Sequence, residues 1–486
     1  MTRNLSPLFE PSGVVVAGVS SHPGKFGFVV LHNLLSCGYQ GQIFALGRSA
    51  GTLLDQPVIA SLDEVPQDAA ELLVVCTPPD ANEELLRAAA ARGIKAVFMV
   101  TGGYSEAGPE GAKAEARIVA LANDLGLVLA GPNGQGLVSP PVGLCAQIVA
   151  PYPPLGRIGV ASQSGNFVSA FENYATQTGI GISRAVSAGN AAATSLADYL
   201  EWFADDPETD VALCYIEGLK DGRAFAERVR KITPHLPVVV VKGGATSGGQ
   251  KAAASHTGSL ATNDRVFDGV ARQAGLVRAA TIESAFEAAA TLATQPLPLG
   301  GQTLVLTTAG GWGVITADAI TRHRRLNLAP LPKDLQASID QLLPPRWSRN
   351  NPVDFAGGET RDTIPEILNL AAAHPDIDAI VQLGLGIQGN TAALTRLGPF
   401  YPDHGLERIV DFHERQERRY AEAAAEASSK HHTPVLVASE IAATDPRNPM
   451  VQAVKDSGRL CYASADRAVE ALGHLVSYAQ WRNARR

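Results

Sequence analysis

A chain of 486 residues is too long for one ordinary domain, and at about 150 residues per domain it divides into roughly three. Hydrophobic residues make up 45% and aromatics only 6%, a balance that favours parallel strands and close-packed helices over an aromatic-rich sandwich. The net charge of -8 argues against nucleic acid or an anionic membrane as the main partner.

The N-terminus, MTRNLSPLFEPSG, lacks an apolar signal core, and the uncharged run 125–156 is broken throughout by Gly and Pro, so no bilayer span is expected. Cys37, Cys76, Cys145, Cys214 and Cys461 include no CxxC pair, so neither a disulfide framework nor a metal site is expected. A reduced, cytoplasmic setting fits. The run VVVAG at 14–18 reads as a buried strand that breaks into SSHPGKFG and then an amphipathic helix over 28–36. A strand, a glycine loop and a helix N-terminus offer backbone N–H groups to an anion. Neither GxGxxG nor GxxxxGK[ST] is present. The second strand, QIFAL, ends in Gly47-Arg48-Ser49, where an NAD site would want an acidic residue for the ribose diol. Arg48 points instead to a phosphorylated ribose, that of CoA or NADP. Further strands at 72–76, 96–100 and 127–130 alternate with helical runs at 83–92 and 111–125, so the first domain is doubly wound.

The next two regions read as degenerate copies of each other. GRIGVASQSGNF from Gly156 parallels GQTLVLTTAGGW from Gly301, with Ser162 falling on Thr308 and Gly165 on Gly311. DPETDVALCYIEG from Asp206 parallels HPDIDAIVQLGLG from His374, and LPVVVVKGG from Leu236 parallels TPVLVASEI from Thr433. Each copy has the pattern of a flavodoxin-like parallel sheet. Their mismatch carries the information: Glu217 ends a strand in the first copy where the second has Leu385. Only the first copy then supplies the loop SGGQKAAASHTGSLA at 247–261, which presents His256 among small residues.

Strand ends of such sheets bind ligands, so Glu217 and the His256 loop are expected at one crevice. There the turn Ser162-Gln163-Ser164-Gly165 feeds a helix and offers hydroxyls and N–H groups to a phosphate. Alone, the turn would read as an ordinary serine N-cap. Beside an imidazole and a carboxylate it becomes a cradle for phosphohistidine, the carboxylate fixing the tautomer and stabilising the charge that develops.

In this order, GVSSHPGKFG, GPNGQG, ASQSGNF, ADDPETDVALCYIEGLKDGRAF, ASHTGSLA, TTAGGWGV and NPVDF resemble the NDP-forming acyl-CoA synthetases, the acetate–CoA ligase relatives of succinyl-CoA synthetase. The resemblance spans nearly the whole chain. It implies an α/β chain with an N-terminal Rossmann-like CoA-binding domain at 1–138, a linker at 139–155, a flavodoxin-like domain with the phosphohistidine loop at 156–297, and a second flavodoxin-like domain at 298–486. It matches His256 to the phosphorylated histidine, Glu217 to its carboxylate partner and Ser162–Gly165 to the phosphate-binding helix. CoA contacts are expected from Gly18, Ser20, Ser21, Lys25, Gly27, Arg48, Thr77 and Pro78, and the acyl group beside Asn133 and Gly134. The implied reaction is carboxylic acid + CoA + ATP = acyl-CoA + ADP + phosphate, through an acyl phosphate and phospho-His256.

The departures are informative. Gly134 stands where the family turn usually carries cysteine, which alters the acyl-site wall. The charged stretch 406–430 reads as an inserted helix. No ATP-grasp region is present, so the chain resembles an α subunit that needs a separate ATP-grasp β subunit, which would hold ATP or ADP and Mg2+, in a homo- or hetero-oligomer. Two other readings stay open: a non-catalytic CoA-binding or sensing protein of the same fold, and an NADP-dependent oxidoreductase resting on the first domain and Arg48 alone.

Overall fold

The computed structural model describes residues 3–149, 151–251, 263–358 and 360–485. It divides into two compact units, Met1–Gln177 with Gly181–Ala285, and Thr178–Ile180 with Phe286–Arg486.

The first unit holds two sheets. β1 (Gly13–Ala17), β2 (Gln42–Leu46), β3 (Gly51–Leu53), β4 (Gln56–Ile59), β5 (Leu72–Val75), β6 (Ala96–Met99) and β7 (Val128–Ala130) lie in the order β3-β4-β2-β1-β5-β6-β7. All neighbours are parallel except the β3–β4 hairpin, which the sequence reading did not anticipate. The chain steps outward from β1 in both directions, so a topological switch point lies at its C-terminal end, where Gly18 begins the first loop. Every residue of β1 is buried, as a central parallel strand covered on both faces requires.

The second sheet contains β8 (Gly136–Ser139), β9 (Leu144–Gln147), β10 (Leu155–Ser162), β11 (Ile182–Ser187), β12 (Val211–Ile216), β13 (Val238–Lys242) and β14 (Val277–Arg278), ordered β14-β13-β12-β10-β11-β8-β9. Its five parallel strands follow the flavodoxin order, and the antiparallel β8–β9 hairpin extends the β11 edge. The stretch 139–155 expected as a linker therefore contains β9, all four of whose residues are buried. Its Gly and Pro residues make the turns around a hairpin instead of an open connection. One core runs through both sheets: Phe9 stacks on Trp202 at 4.7 Å, and Leu5, Leu8 and Val14 share a cluster with Ala161, Tyr199 and Phe203. Fully buried Arg184 holds this junction, bonding Asp206 at 3.1 Å, Ser139 at 2.6 Å and Glu10 at 2.5 Å. A buried guanidinium is tolerated only with such a complete set of partners.

In the second unit, β15 (Gln302–Thr307), β16 (Asn327–Leu328), β17 (Val353–Asp354), β18 (Ala379–Leu383), β19 (Val435–Ala438) and β20 (Cys461–Tyr462) form a sheet ordered β16-β15-β18-β19-β20, with β17 paired to β15. This repeats β11-β10-β12-β13-β14 strand for strand, which is the duplication read from the sequence. One alignment shifts by a residue. β10 ends at Ser162 and β15 at Thr307, and each hydroxyl bonds the backbone two residues on, Ser162 to Ser164 and Thr307 to Ala309. Ser162 therefore corresponds to Thr307, and Gly165 to Gly310, because the paired threonines let the motif slide in sequence but only the strand-end hydroxyl can close the turn. The pairing of Glu217 with Leu385 keeps its register, since Ser162 lies opposite Tyr215 and Thr307 opposite Leu383.

The inserted helix is Leu406–His431. One face is buried through Val410, Tyr420, Ala421, Ala424 and Ala427, so it is an amphipathic part of the third domain's core and not a solvated rod. Its Glu417 carboxylate accepts the Gly386 and Gln388 N–H groups, both at 2.8 Å, at the start of the Ile387–Arg396 helix. An anion at a helix N-terminus is favourable, and here the chain supplies its own.

Candidate functional site

The loop after β1 is shaped by two close approaches. Gly18 has φ +89°, and a Cβ there would lie 2.9 Å from the Cys76 carbonyl; a Cβ on Gly27 would lie 2.3 Å from the Gly18 oxygen. The helix Phe26–Ser36 thus starts hard against the strand end, with no side chain capping its N-terminus. Ser21 and Lys25 are exposed on the loop and Ser20 half-buried. Gly18 and Val19 donate to the Leu46 oxygen at 2.9 and 3.1 Å, which brings the loop beside Gly47 and exposed Arg48. Thr77 donates to Asn82 at 2.7 Å and its carbonyl accepts from Thr101, so Thr77 and Pro78 border the same strand-end crevice. The expected CoA residues therefore gather along one edge of the first sheet, with Gly18 and Gly27 serving as close-packing positions.

The turn Gly131-Pro132-Asn133-Gly134 follows β7. Asn133 is exposed at φ +61° and donates to Asn190 at 3.3 Å. Gly134 is buried, and a Cβ on it would lie 2.5 Å from the Ser187 oxygen and 2.6 Å from the Phe98 ring. Phe98 occupies the space a side chain at 134 would need, which accounts for glycine there. Asn190 also donates to Glu106 at 2.6 Å and Glu115 at 2.8 Å. Burial works to raise the Glu106 carboxyl, but the bond from Asn190 and those from backbone N–H groups hold it below its ordinary range. This joint between the first two sheets was not found in the sequence, because its members lie far apart along the chain.

The Ser162 turn is more committed to structure than its composition suggests. Ser162 is fully buried; its hydroxyl donates to the Ser164 oxygen at 2.6 Å and accepts the Ser164 N–H at 3.1 Å. The Gln163 side chain donates to the Gly218 oxygen at 2.9 Å and accepts from the Glu217 N–H at 2.6 Å and the Gly218 N–H at 3.2 Å. Gln163 is thus a clip that positions the residue carrying the carboxylate. Gly165 opens the Gly165–Thr178 helix with Gln135 packed against it, a Cβ there falling 2.2 Å from the Gln135 amide carbon.

Glu217 follows β12. The Tyr215 hydroxyl, two residues earlier on the same face of the strand, bonds its carboxylate; burial, the Glu217 charge and that bond push the Tyr215 phenol up to about 12. Phe167 of the Gly165–Thr178 helix packs edge-on against Tyr215, ring centroids 4.2 Å apart. Lys242 ends β13 opposite Ile216, 6% exposed, and its ammonium donates to the backbone carbonyl of Glu217 at 3.1 Å and to that of Gly243. Burial lowers its pKa. Lys242 was missed in the sequence, although a lysine closing the apolar run PVVVVK was a readable signal. In the other copy Ser439 and Thr308 stand at the positions of Lys242 and Gln163, so the carboxylate, the amine and the amide clip all belong to the first copy alone. His256 lies outside the described residues; the chain leading to it leaves β13 beside Glu217 and resumes at Asn263, which caps the Asp264–Ala274 helix through a 3.0 Å bond to the Arg265 N–H.

Among the described residues no cluster of His, Cys, Asp and Glu could hold a metal ion, and no helix is long and apolar enough to cross a membrane.

Comparison with known proteins fits this architecture domain by domain. Residues 13–139 match a CoA binding domain, 155–292 a succinyl-CoA ligase like flavodoxin domain, and 303–389 a ligase-CoA domain. The chain is 32% identical over 483 residues to the acetate–CoA ligase [ADP-forming] I subunit alpha of Pyrococcus furiosus, covering 99% of this chain and 98% of that protein. It is 30% identical over 382 residues to the 4-hydroxybutyrate–CoA ligase [ADP-forming] of Nitrosopumilus maritimus, covering 78% of this chain but 54% of that longer protein. The dinucleotide forming acetyl-coenzyme A synthetase 1 of Candidatus Korarchaeum cryptofilum, solved with phosphate and ADP, superposes with a TM-score of 0.84 at 28% identity, covering 99% of this chain and 98% of that one. With a near-full-length α-subunit relative, three matching domains in the same order and the duplicated flavodoxin sheet, the chain belongs to the ADP-forming acetate–CoA ligase α-subunit family of acid–thiol ligases.

Proposed function

We propose that this chain is the CoA-binding, phosphohistidine-carrying α subunit of an ADP-forming acyl-CoA synthetase, with His256 as the phosphoryl carrier and Glu217 as its partner. The observation that carries the reading is the construction around Glu217: an amide clip, a phenol and a buried lysine converge on one strand end, beside the strand from which the His256 segment departs.

In the direction of synthesis, phospho-His256 gives its phosphoryl group to the carboxylic acid. The N–P bond breaks, an O–P bond forms, and the acyl phosphate is held where Asn133 and the Gly134 turn face the first sheet. The CoA thiolate then attacks the acyl carbon and phosphate leaves. Ser162 and Gln163 are engaged in the turn, so Ser164 and the first N–H groups of the Gly165–Thr178 helix are the groups that meet the phosphoryl oxygens. Glu217 orients the imidazole and stabilises the cation formed as the ring nitrogen bonds phosphorus. Lys25 and Arg48 bind the phosphates of CoA. Rephosphorylation of His256 by ATP takes place in a separate ATP-grasp β subunit, which also holds Mg2+. A match covering 98% of a relative named as a subunit alpha, against 54% of a longer ligase, supports that division. The domains act as read from the sequence, CoA on 1–138 and the phosphoryl carrier on 156–297, in a cytoplasmic hetero-oligomer.

The purified chain, given acid, CoA and Mg-ATP, makes no acyl-CoA, and adding an ATP-grasp β subunit restores turnover. Turnover by the isolated chain would overturn the subunit reading; failure of every β subunit to restore it would favour a CoA sensor.

A further inference from the structure

Two of the five cysteines come together although nothing in their spacing suggests it. Cys37 follows the Phe26–Ser36 helix of the first domain, and Cys145 lies in β9, the edge strand of the second sheet. Helix and strand pack in matched steps. Asn33, one turn before Cys37, donates to the Gln147 oxygen at 2.7 Å, and Cys145 lies two residues before Gln147 on the same face of β9. The turn entering β9 fits equally closely, for a Cβ on Gly143 would lie 3.3 Å from the Cys37 oxygen. Both thiols are free; Cys145 is buried and Cys37 half-exposed, so a small oxidant reaches one of them. Of the other three, Cys76 and Cys461 are half-exposed and Cys214 is buried.

We propose that Cys37 and Cys145 are a reversible redox modification site, closing to a disulfide that staples the first domain's helix to the edge strand of the second sheet when the chain meets a peroxide. The neighbouring Cys145 thiol lowers the pKa of Cys37, whereas Cys37 and burial raise that of Cys145, so half-exposed Cys37 is the first nucleophile. The Cys37 sulfur attacks one oxygen of hydrogen peroxide. The O–O bond breaks, one water leaves, and Cys37 becomes a sulfenic acid, oxidised by two electrons. The Cys145 sulfur then attacks the Cys37 sulfur, the S–O bond breaks, and the departing hydroxide takes the Cys145 proton as a second water. Two thiols and one peroxide thus yield one disulfide and two waters. The closed loop contains every strand of the first sheet except β1, a long span of the kind for which cross-linking constrains the unfolded chain most. This site makes no use of His256 or Glu217 and stands or falls independently of the phosphoryl chemistry.

The test is peroxide treatment of the full chain, mapped without reduction. The expected result is a Cys37–Cys145 linked peptide with two hydrogens lost, an unfolding midpoint raised by several degrees, and reversal of both by dithiothreitol. Neither change occurs in C37S, while C76S behaves as wild type. C145S also gives no link, but C37S, at the half-exposed position, carries the test should a serine in β9 disturb packing. Cys37 still open to alkylation after peroxide, conversion of Cys37 to sulfinic acid without a link, or a link to another cysteine would each overturn the proposal.

Discussion

Replacing Gln163 by alanine removes the amide clip without touching the carboxylate it positions. The clip makes three bonds, 2.6 Å from Glu217 N–H, 3.2 Å from Gly218 N–H and 2.9 Å to the Gly218 oxygen. At about 1 kcal/mol net per bond the loss is at most ~3 kcal/mol, and water entering the half-buried turn brings it to about 1.5–3 kcal/mol. Every ~1.4 kcal/mol is tenfold, so hydrogen exchange at the Glu217 and Gly218 amides should accelerate by about 10- to 100-fold, with little change in β1 or β18. Because misplacing a catalytic group by about 1 Å costs ~10²-fold, phosphorylation of the chain should fall by about that factor while CoA affinity stays unchanged. Gln163→Glu keeps the acceptor but cannot donate to the Gly218 oxygen and sets a second negative charge by Glu217, so it should exchange more slowly than Gln163→Ala yet be phosphorylated no faster. Wild-type exchange and wild-type phosphorylation in Gln163→Ala would refute the positioning role.

Gly134→Cys should destabilise the first unit by about 1–3 kcal/mol through overpacking against the Ser187 oxygen and the Phe98 ring. Phe98→Leu in the same chain should recover part of that loss, which a double-mutant cycle on unfolding midpoints measures. Burial, only partly offset by a bond from Gln147, raises Glu172 to about 8, so between its unfolded value near 4.5 and about 8 the folded chain holds a proton the unfolded chain has released. Stability from this group is then fully present below the lower value and is lost as pH rises through the upper one, and Glu172→Gln should flatten that part of the pH–stability curve. CoA should bind more tightly than dephospho-CoA by the worth of a charge-assisted contact, about 1.5–3 kcal/mol, and Arg48→Ala should abolish the difference in calorimetry.

Much of this was legible in the chain because parallel sheets announce themselves. The apolar runs at β1 and β5, expected over 14–18 and 72–76, are bounded by turn residues and lie within a residue of those limits. What could not be read were consequences of three-dimensional closure. Residues 139–155 look like a linker because glycine and proline punctuate a hairpin and a connection alike, and only pairing with β11 through β8 decides between them. The one-residue slip from Thr307 to Thr308 arose where two like residues adjoin. Gln163 is expected among the residues of a phosphate-binding turn, and that its side chain reaches across to another strand end could not be read locally. Lys242 and the Cys37–Cys145 pair depend on neighbours across a sheet or between domains, which no local window contains.

The central claim is tested most directly by following phosphate. The chain, supplied with a β subunit and Mg-ATP or with acyl-CoA and labelled phosphate, should acquire one acid-labile, alkali-stable label that peptide mapping places on His256. His256→Ala should lose the label and net synthesis while binding CoA as before, and Glu217→Gln should be labelled about 10²- to 10³-fold more slowly. Label persisting in His256→Ala, or an alkali-labile ester on Ser162, Ser164 or Ser255, would contradict the account.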